Sequence, residues 1–471
     1  MSPSSDDPKR PGRLIVPGQG AESPPRSPLV TPAGTPAAGV PDDAAPRIVL
    51  PPGATLETDT SLPEFPRLRA LSMLPVRDGE RELLLVTDPL GLLPEPVALR
   101  MESLPLLQLL DGRTSLNDLG AALVRGSGDI RAGGWVREFI AQLDRLLLLE
   151  SPRFDEAYRG LRDRYHQLEI RQSMFAGVSY PADAETAGRF VDAHVAAAAD
   201  LRRAAGLAEP APDATPRLIM SPHLDPQRAG PAIALALTEL GTARDEPLRV
   251  VVIGVGHMLW DSWFALTRKH FETPWGRVLC DTRFVDAVAA RLGEDAYRAE
   301  IAHRDEHSIE FQALYLARRF GDRPITVVPI LVGGFFAMLE TGRRPTGVTE
   351  IETLVTAVRD VEKSLGGVTS YVAAVDLSHV GPRFGDPAPD DRVRSETETR
   401  DRAALDAAVR ADAEGWHDAI ASESDVTRVC GWGATYVALR CAAPGPGRLL
   451  QYRQSPEEDG SFVSIASMVW P

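Results

Sequence analysis

Lysine is almost missing from this chain: Lys9, Lys269 and Lys363 are the only three, and arginine supplies the rest of the positive charge. We read that as codon bias, not function. Acidic residues outnumber basic ones, giving a formal net charge of -15. A nucleic-acid backbone is therefore not the expected partner, because such surfaces need clustered Lys and Arg. Cysteine is also scarce. Cys280, Cys430 and Cys441, in 471 residues, make no disulfide framework and fit a reducing cytosol. No stretch approaches the roughly 18 consecutive apolar residues of a membrane helix. The opening MSPSSDDPKRPG has no apolar core of a signal peptide. The expectation is a cytoplasmic protein with no membrane and no nucleic-acid partner. Two catalytic patterns are missing as well. There is no G-x-x-x-x-G-K loop for a nucleotide hydrolase and no G-x-S-x-G elbow for a serine hydrolase. Gly254-Val255-Gly256 lacks the third glycine of a dinucleotide fingerprint.

What is present is an ordinary apolar share of 44%, enough for a sizeable core, in a length that suits two or three domains. Residues 1–61 are rich in Pro, Gly, Ser and Ala and read as a disordered tail. Residues 62–152 read as a small α+β domain: a strand at Glu82–Val86, a helix over Val97–Leu110, a serine-capped helix from Ser115, and a third helix over Gly133–Leu149. That order resembles a winged helix, and more loosely a PqqD-like peptide-recognition domain. Its few basic residues favour an interaction module over DNA binding. Residues 153–171 read as a helical linker. From Arg217 onward, strands and helices alternate: RLIM, RVVVIG, ITVVPILV, SYVAAV, and late strands at Gln451–Ser455 and Phe462–Val469, with a helix over Ala232–Leu240. Uninterrupted β-branched runs separated by helices predict an α/β domain over 172–471, with a mostly parallel central sheet flanked by helices.

Three of these strands end in histidine. Ser221-Pro222-His223 follows LIM, Gly256-His257 follows VVVIGV, and Asp376-Leu377-Ser378-His379 follows YVAAV. In such sheets ligands collect beyond the carboxyl ends of the strands, and neutral imidazole is the commonest metal ligand. Cys430, in VCGWG, is either a buried structural cysteine or a thiolate ligand, and a mixed nitrogen and sulfur shell suits zinc, copper or iron. Asp376 is either a ligand or a group that orients a histidine. Trp260 and Trp263 line the cleft beside His257 or simply pack. A competing pattern is His303-Arg304-Asp305-Glu306-His307. It matches H-x-x-E-H, in which two histidines on one helix face hold zinc and the glutamate is the base.

Together, SPH at Ser221–His223, GVGH at Gly254–His257, TPWG at Thr273–Gly276, EHSIE at Glu306–Glu310, VPILVG at Val328–Gly333, DLSHVG at Asp376–Gly381 and CGWG at Cys430–Gly433 resemble the Memo family in order and spacing. MFAGVSYP at Met174–Pro181 looks like its opening segment. The resemblance covers about 171–471. Bacterial and archaeal members are called AmmeMemoRadiSam system protein B, and the family is similar in fold to LigB-type class III extradiol dioxygenases. The resemblance implies that His223, His257 and Cys430 bind a transition metal, iron or copper before zinc, with Asp376 and His379 beside it as the catalytic pair. It implies that Glu306, His307 and Glu310 line the same cleft. It implies redox or oxygen chemistry on a small-molecule or peptide ligand, with radical SAM and AMMECR-type proteins as partners. Leu224-Asp225-Pro226, Val375 and Val380 depart from the family pattern and are expected to alter the pocket wall. Two alternatives stay open: a non-enzymatic module binding a peptide, a metal or a partner, and a zinc hydrolase using His303, Glu306 and His307.

Overall fold

A computed structural model describes residues 62–471 apart from 80, 94, 128–130, 244, 260 and 261. The expected tail and Trp260 thus lie outside the described residues. The chain divides after Arg164 into two compact units.

In the smaller unit, strands β1 (Ser72–Asp78), β2 (Arg81–Thr87) and β3 (Val97–Arg100) form an antiparallel sheet in that order. Helices α1 (Leu104–Gln108), α2 (Leu116–Ser127), α3 (Ala132–Arg145) and α4 (Pro152–His166) follow, the last running across the division. The helix expected over Val97–Leu110 is therefore split. Val97–Arg100 pairs with β2, and buries Leu99 against the unit's core, before the chain turns helical. The serine start of α2 is as expected, with Ser115 Oγ accepting from Asp118 N at 3.1 Å.

The larger unit contains β4 (Ile170–Arg171), α5 (Ala184–Ala204), β5 (Leu218–Ser221), α6 (Pro226–Leu237), β6 (Leu248–Val255), β7 (Phe264–Leu266), β8 (His270–Thr273), β9 (Gly276–Cys280) and α7 (Thr282–Leu292). It continues with α8 (His307–Phe320), β10 (Ile325–Val332), α9 (Phe336–Thr341), α10 (Thr349–Leu365), β11 (Val368–Ala374), β12 (His379–Val380), α11 (Asp391–Val409), α12 (Ala413–Ala421), α13 (Trp432–Ala442), β13 (Arg448–Pro456) and β14 (Phe462–Trp470). α6 starts earlier than expected because Asp225 caps it, accepting from Gln227 N at 2.8 Å, with Pro226 in the first helical position. These strands form one large sheet whose main path runs β12-β14-β5-β11-β6-β10-β9-β8-β4. Its centre, β5-β11-β6-β10-β9, is parallel; the antiparallel pairs along the path lie toward its edges, and β7 pairs antiparallel with the end of β10.

The apolar runs are explained by burial on both faces. Along β6, Val251, Ile253 and Val255 enter one core with residues of α7, α10, α12 and α13, while Val250 and Val252 enter a second with α5, α6 and α8. The fold is thus an α/β sheet flanked by helices, and β5, β11 and β6 are adjacent and co-directional. Their carboxyl ends share one edge.

Candidate metal centre

The same offset recurs on those three strands. His223 stands two residues beyond the end of β5, His257 two beyond β6 and Asp376 two beyond β11. His307 comes in from the other side as the first residue of α8, and Cys430 sits two residues ahead of α13. One candidate ligand atom from each of His223, His257 and His307 lies within 4.8 Å of the others. The rings of His257 and His307 stack at 4.8 Å, and His223 meets each edge-on at 5.1 Å. His223 is buried at 2% side-chain exposure, whereas His307 and His257 keep 20% and 35%, so the cluster opens on the His257 side.

The imidazoles of His223 and His257 are fixed through Nδ1. That atom of His223 donates to the Ala374 carbonyl at 2.9 Å, so its Nε2 holds the lone pair. His257 Nδ1 donates to the Glu306 carboxylate at 3.0 Å, and His307 Nδ1 lies 3.3 Å from the same group. Glu306 also accepts from the backbone of His257 and Ser308, at 2.9 and 3.0 Å. A carboxylate behind two histidines is the arrangement that orients metal ligands and sets their tautomer. Around His223 Nε2 lie Cys430 Sγ at 3.4 Å and Asp376 Oδ2 at 3.5 Å. Asp376 Oδ1 accepts from the backbone of His223 and Leu224, at 3.0 and 3.2 Å, and so also holds the turn after β5.

Two glycines allow the close approaches. A Cβ on Gly431 would meet Asp376 O at 2.5 Å and Val375 Cβ at 2.7 Å, so only glycine lets the Cys430 turn lie against the end of β11. A Cβ on Gly254 would meet Ser308 Oγ at 2.5 Å, where β6 passes the start of α8. Gln312, on α8, donates to Pro222 O at 2.8 Å and steadies the SPH turn. Arg171 is buried and donates to the carbonyls of His303 and Glu306, at 3.0 and 2.7 Å, and to Glu310. It ties β4 to the turn that carries Glu306 and His307.

Burial, against the pull of Asp376, lowers the pKa of His223, and burial lowers that of His307 well below the usual range. Burial pushes His257 down too, but Glu306 outweighs it and the net shift is upward. Burial would raise Glu306, yet His257 and His307 hold it well below the usual carboxylate range. Burial, reinforced by Asp376, pushes the Cys430 thiol well up. The site therefore offers two neutral imidazoles, His223 and His307, and a His257 ring and a Cys430 thiol whose protons a metal cation would displace.

The other expected residues fall as follows. His379 donates from Nδ1 to Leu377 O at 2.9 Å and Arg428 O at 3.0 Å, and burial lowers it to about 4. Glu310 is fully engaged away from the three histidines: it pairs with Arg171 and accepts from Met174 N, Phe175 N and Tyr180 OH. It anchors the opening segment, whose Phe175 packs edge-on against His307 at 5.7 Å. Val375 is buried in the apolar core. The H-x-x-E-H reading is overturned. His303 lies in a separate 3-10 turn, Glu300–His303, and its Nε2 donates to Ala265 O at 3.0 Å. It shares no helix face with His307, and Glu306 serves as the cap of α8, so the zinc-hydrolase constellation does not form. Sequence reasoning placed His307 on the cleft wall or in the H-x-x-E-H motif, not with His223 and His257, and it passed over Arg171 and Gln312, whose partners are remote in sequence.

With that geometry in hand, comparison with known proteins is direct. The family model of Memo-like proteins matches residues 171–469. A MEMO1 family protein of Aquifex aeolicus is 26% identical over 413 residues, spanning 86% of this chain and 99% of that protein. One from Thermus thermophilus is 30% identical over 247 residues, spanning 52% of this chain and 66% of its own length. The memo-1 homolog of Caenorhabditis elegans is 29% identical over 120 residues, spanning 25% and 33%.

Proposed function

Since the chain belongs to the Memo-like protein family, we propose that its strand-end cluster binds a transition metal, iron or copper, and that the protein acts in redox or oxygen chemistry with a dioxygenase-like site. One observation carries the reading. The ligand atoms of three histidines lie within 4.8 Å of one another, and all three rings have Nδ1 turned toward an oxygen acceptor. A packing cluster of histidines has no need of that order; a ligand set does. Cys430 and Asp376 stand close enough to His223 to complete the shell. A nitrogen-rich set with one thiolate suits iron, copper or zinc on donor chemistry, and the resemblance favours the first two.

A metal bound there would supply Lewis-acid and electron-transfer chemistry. The chain's own residues do the rest. His379, neutral through the physiological range, offers Nε2 as a proton acceptor while two backbone carbonyls hold its other nitrogen. Asp376 holds the His223 turn and faces its Nε2. Phe175 packs edge-on against His307 and gives that side an apolar wall. Metal analysis of protein purified without oxygen tests the proposal. Bound iron or copper in near-stoichiometric amount supports it. Protein free of transition metal, and unable to take up Fe(II) or Cu(I), contradicts it.

A further inference from the structure

The segment between α12 and α13 is the strained part of the site. Ser424, Asp425 and Arg428 have φ of 52°, 47° and 56°, in the left-handed region that non-glycine residues rarely enter. Strain of this kind persists only where surrounding contacts enforce it.

Two carbonyls of this loop hold His379. Thr427 O accepts from its backbone N at 2.7 Å, and Arg428 O accepts from Nδ1 at 3.0 Å. Two residues further on, Cys430 places Sγ 3.4 Å from His223 Nε2. A shift of this loop would move the anchor of His379 and the thiol together.

Asp425 closes the loop on itself. Its Oδ1 accepts from Val429 N at 2.8 Å, and its carbonyl accepts from Arg428 N at 2.9 Å. It is 6% exposed, and Oδ2 has no hydrogen-bond partner among the described residues. It lines a cavity of about 20 Å³ with Asp401, Thr427 and Val429. A buried carboxylate with one unpaired oxygen is a poor way to stabilise a fold. The loop it shapes accounts for its presence. On the far side, the Arg428 guanidinium pairs with Asp386 and pins the loop there.

We infer that Asp425 is a positioning residue: its carboxylate latches the strained 424–429 loop, and through that loop sets both the Nδ1 anchor of His379 and the placement of Cys430. The inference gains its meaning from the metal site proposed above, but its test uses no metal. A chain that binds none can still pass or fail it.

The test is iodoacetamide labelling of the full chain, mapped by mass spectrometry. Cys280 and Cys441 are buried in the core and serve as internal controls for general loosening. Asp425→Ala and Asp425→Ser should raise the labelling rate of Cys430 about tenfold or more and leave the two controls at the wild-type rate, because only the loop is released. Asp425→Asn keeps an oxygen for Val429 and should stay within about threefold of wild type. Should the alanine variant not fold, the serine and asparagine variants carry the same comparison. An unchanged Cys430 rate without the carboxylate overturns the inference. So does a parallel rise at all three cysteines, or an asparagine variant that behaves like alanine.

Discussion

Glu306 stands behind two of the three histidines: it accepts from His257 Nδ1, which fixes that tautomer, and lies 3.3 Å from His307 Nδ1. Glu306→Gln keeps the shape but replaces one acceptor oxygen with a donor amide, leaving a single acceptor oxygen for His257 Nδ1 and the backbone N–H groups of His257 and Ser308. Removing such an orienting group weakens metal binding about 10–100-fold. A Co(II) or Zn(II) competition titration should read that loss, and unchanged affinity would show that the histidines orient themselves. Asp425 gives a prediction of another kind. Burial raises it from an ordinary 3.8 to about 7, against the pull of Val429 N–H and Arg428. Between those values the folded chain binds more protons at this position than the unfolded chain, so its contribution to stability falls as pH rises from about 4 through 7. Asp425→Asn removes that loss. The variant should gain on wild type from pH 4 to pH 8, by up to a few kcal/mol in urea unfolding. An unchanging difference across that range would mean the carboxyl titrates normally. At this scale the site was partly legible. His223, His257 and Asp376 follow uninterrupted strands, and Cys430 sits against glycines, so chain pattern alone marked them. Asp425 was not legible, because neither its loop conformation nor its burial leaves a local sequence signal.

Elements were easiest to read where burial on both faces removes all polar alternation. β10 has the bounds expected from ITVVPILV, and β6 extends RVVVIG by a residue at each end. They were hardest to read where a short run fits both periods, as at Val97–Arg100, which pairing with β2 turned into a strand. The H-x-x-E-H pattern failed for a related reason: a cap residue, Glu306, falls inside it and starts a new helix after His303. The contact of β6 with the start of α8 is the junction that brings His257 and His307 together. Gly254→Ala would force a methyl group against Ser308 Oγ and Ile309 Cγ1. It should destabilise the fold by about 1–3 kcal/mol and lower metal affinity as well. Denaturant unfolding and the same titration check both, and a variant as stable as wild type would show that the junction yields easily.

On the scale of the whole molecule, every candidate ligand lies in the unit that begins at Tyr165. Among the described residues no helix is long and apolar enough to cross a membrane. A chain starting at Ser151 keeps α4, whose Tyr165 is buried with the Lys269 ammonium 4.5 Å from its ring. It should bind metal with the stoichiometry of the full chain, and loss of binding would assign the smaller unit a part in the site. The central claim is that the strand-end histidines form one metal centre. The most direct measurement is the metal content of anaerobically prepared wild type and of the double variant His223→Ala with His257→Ala, with circular dichroism to confirm the fold. The account predicts about one metal ion per wild-type chain and almost none in the folded double variant. Equal metal content in the two proteins would contradict it.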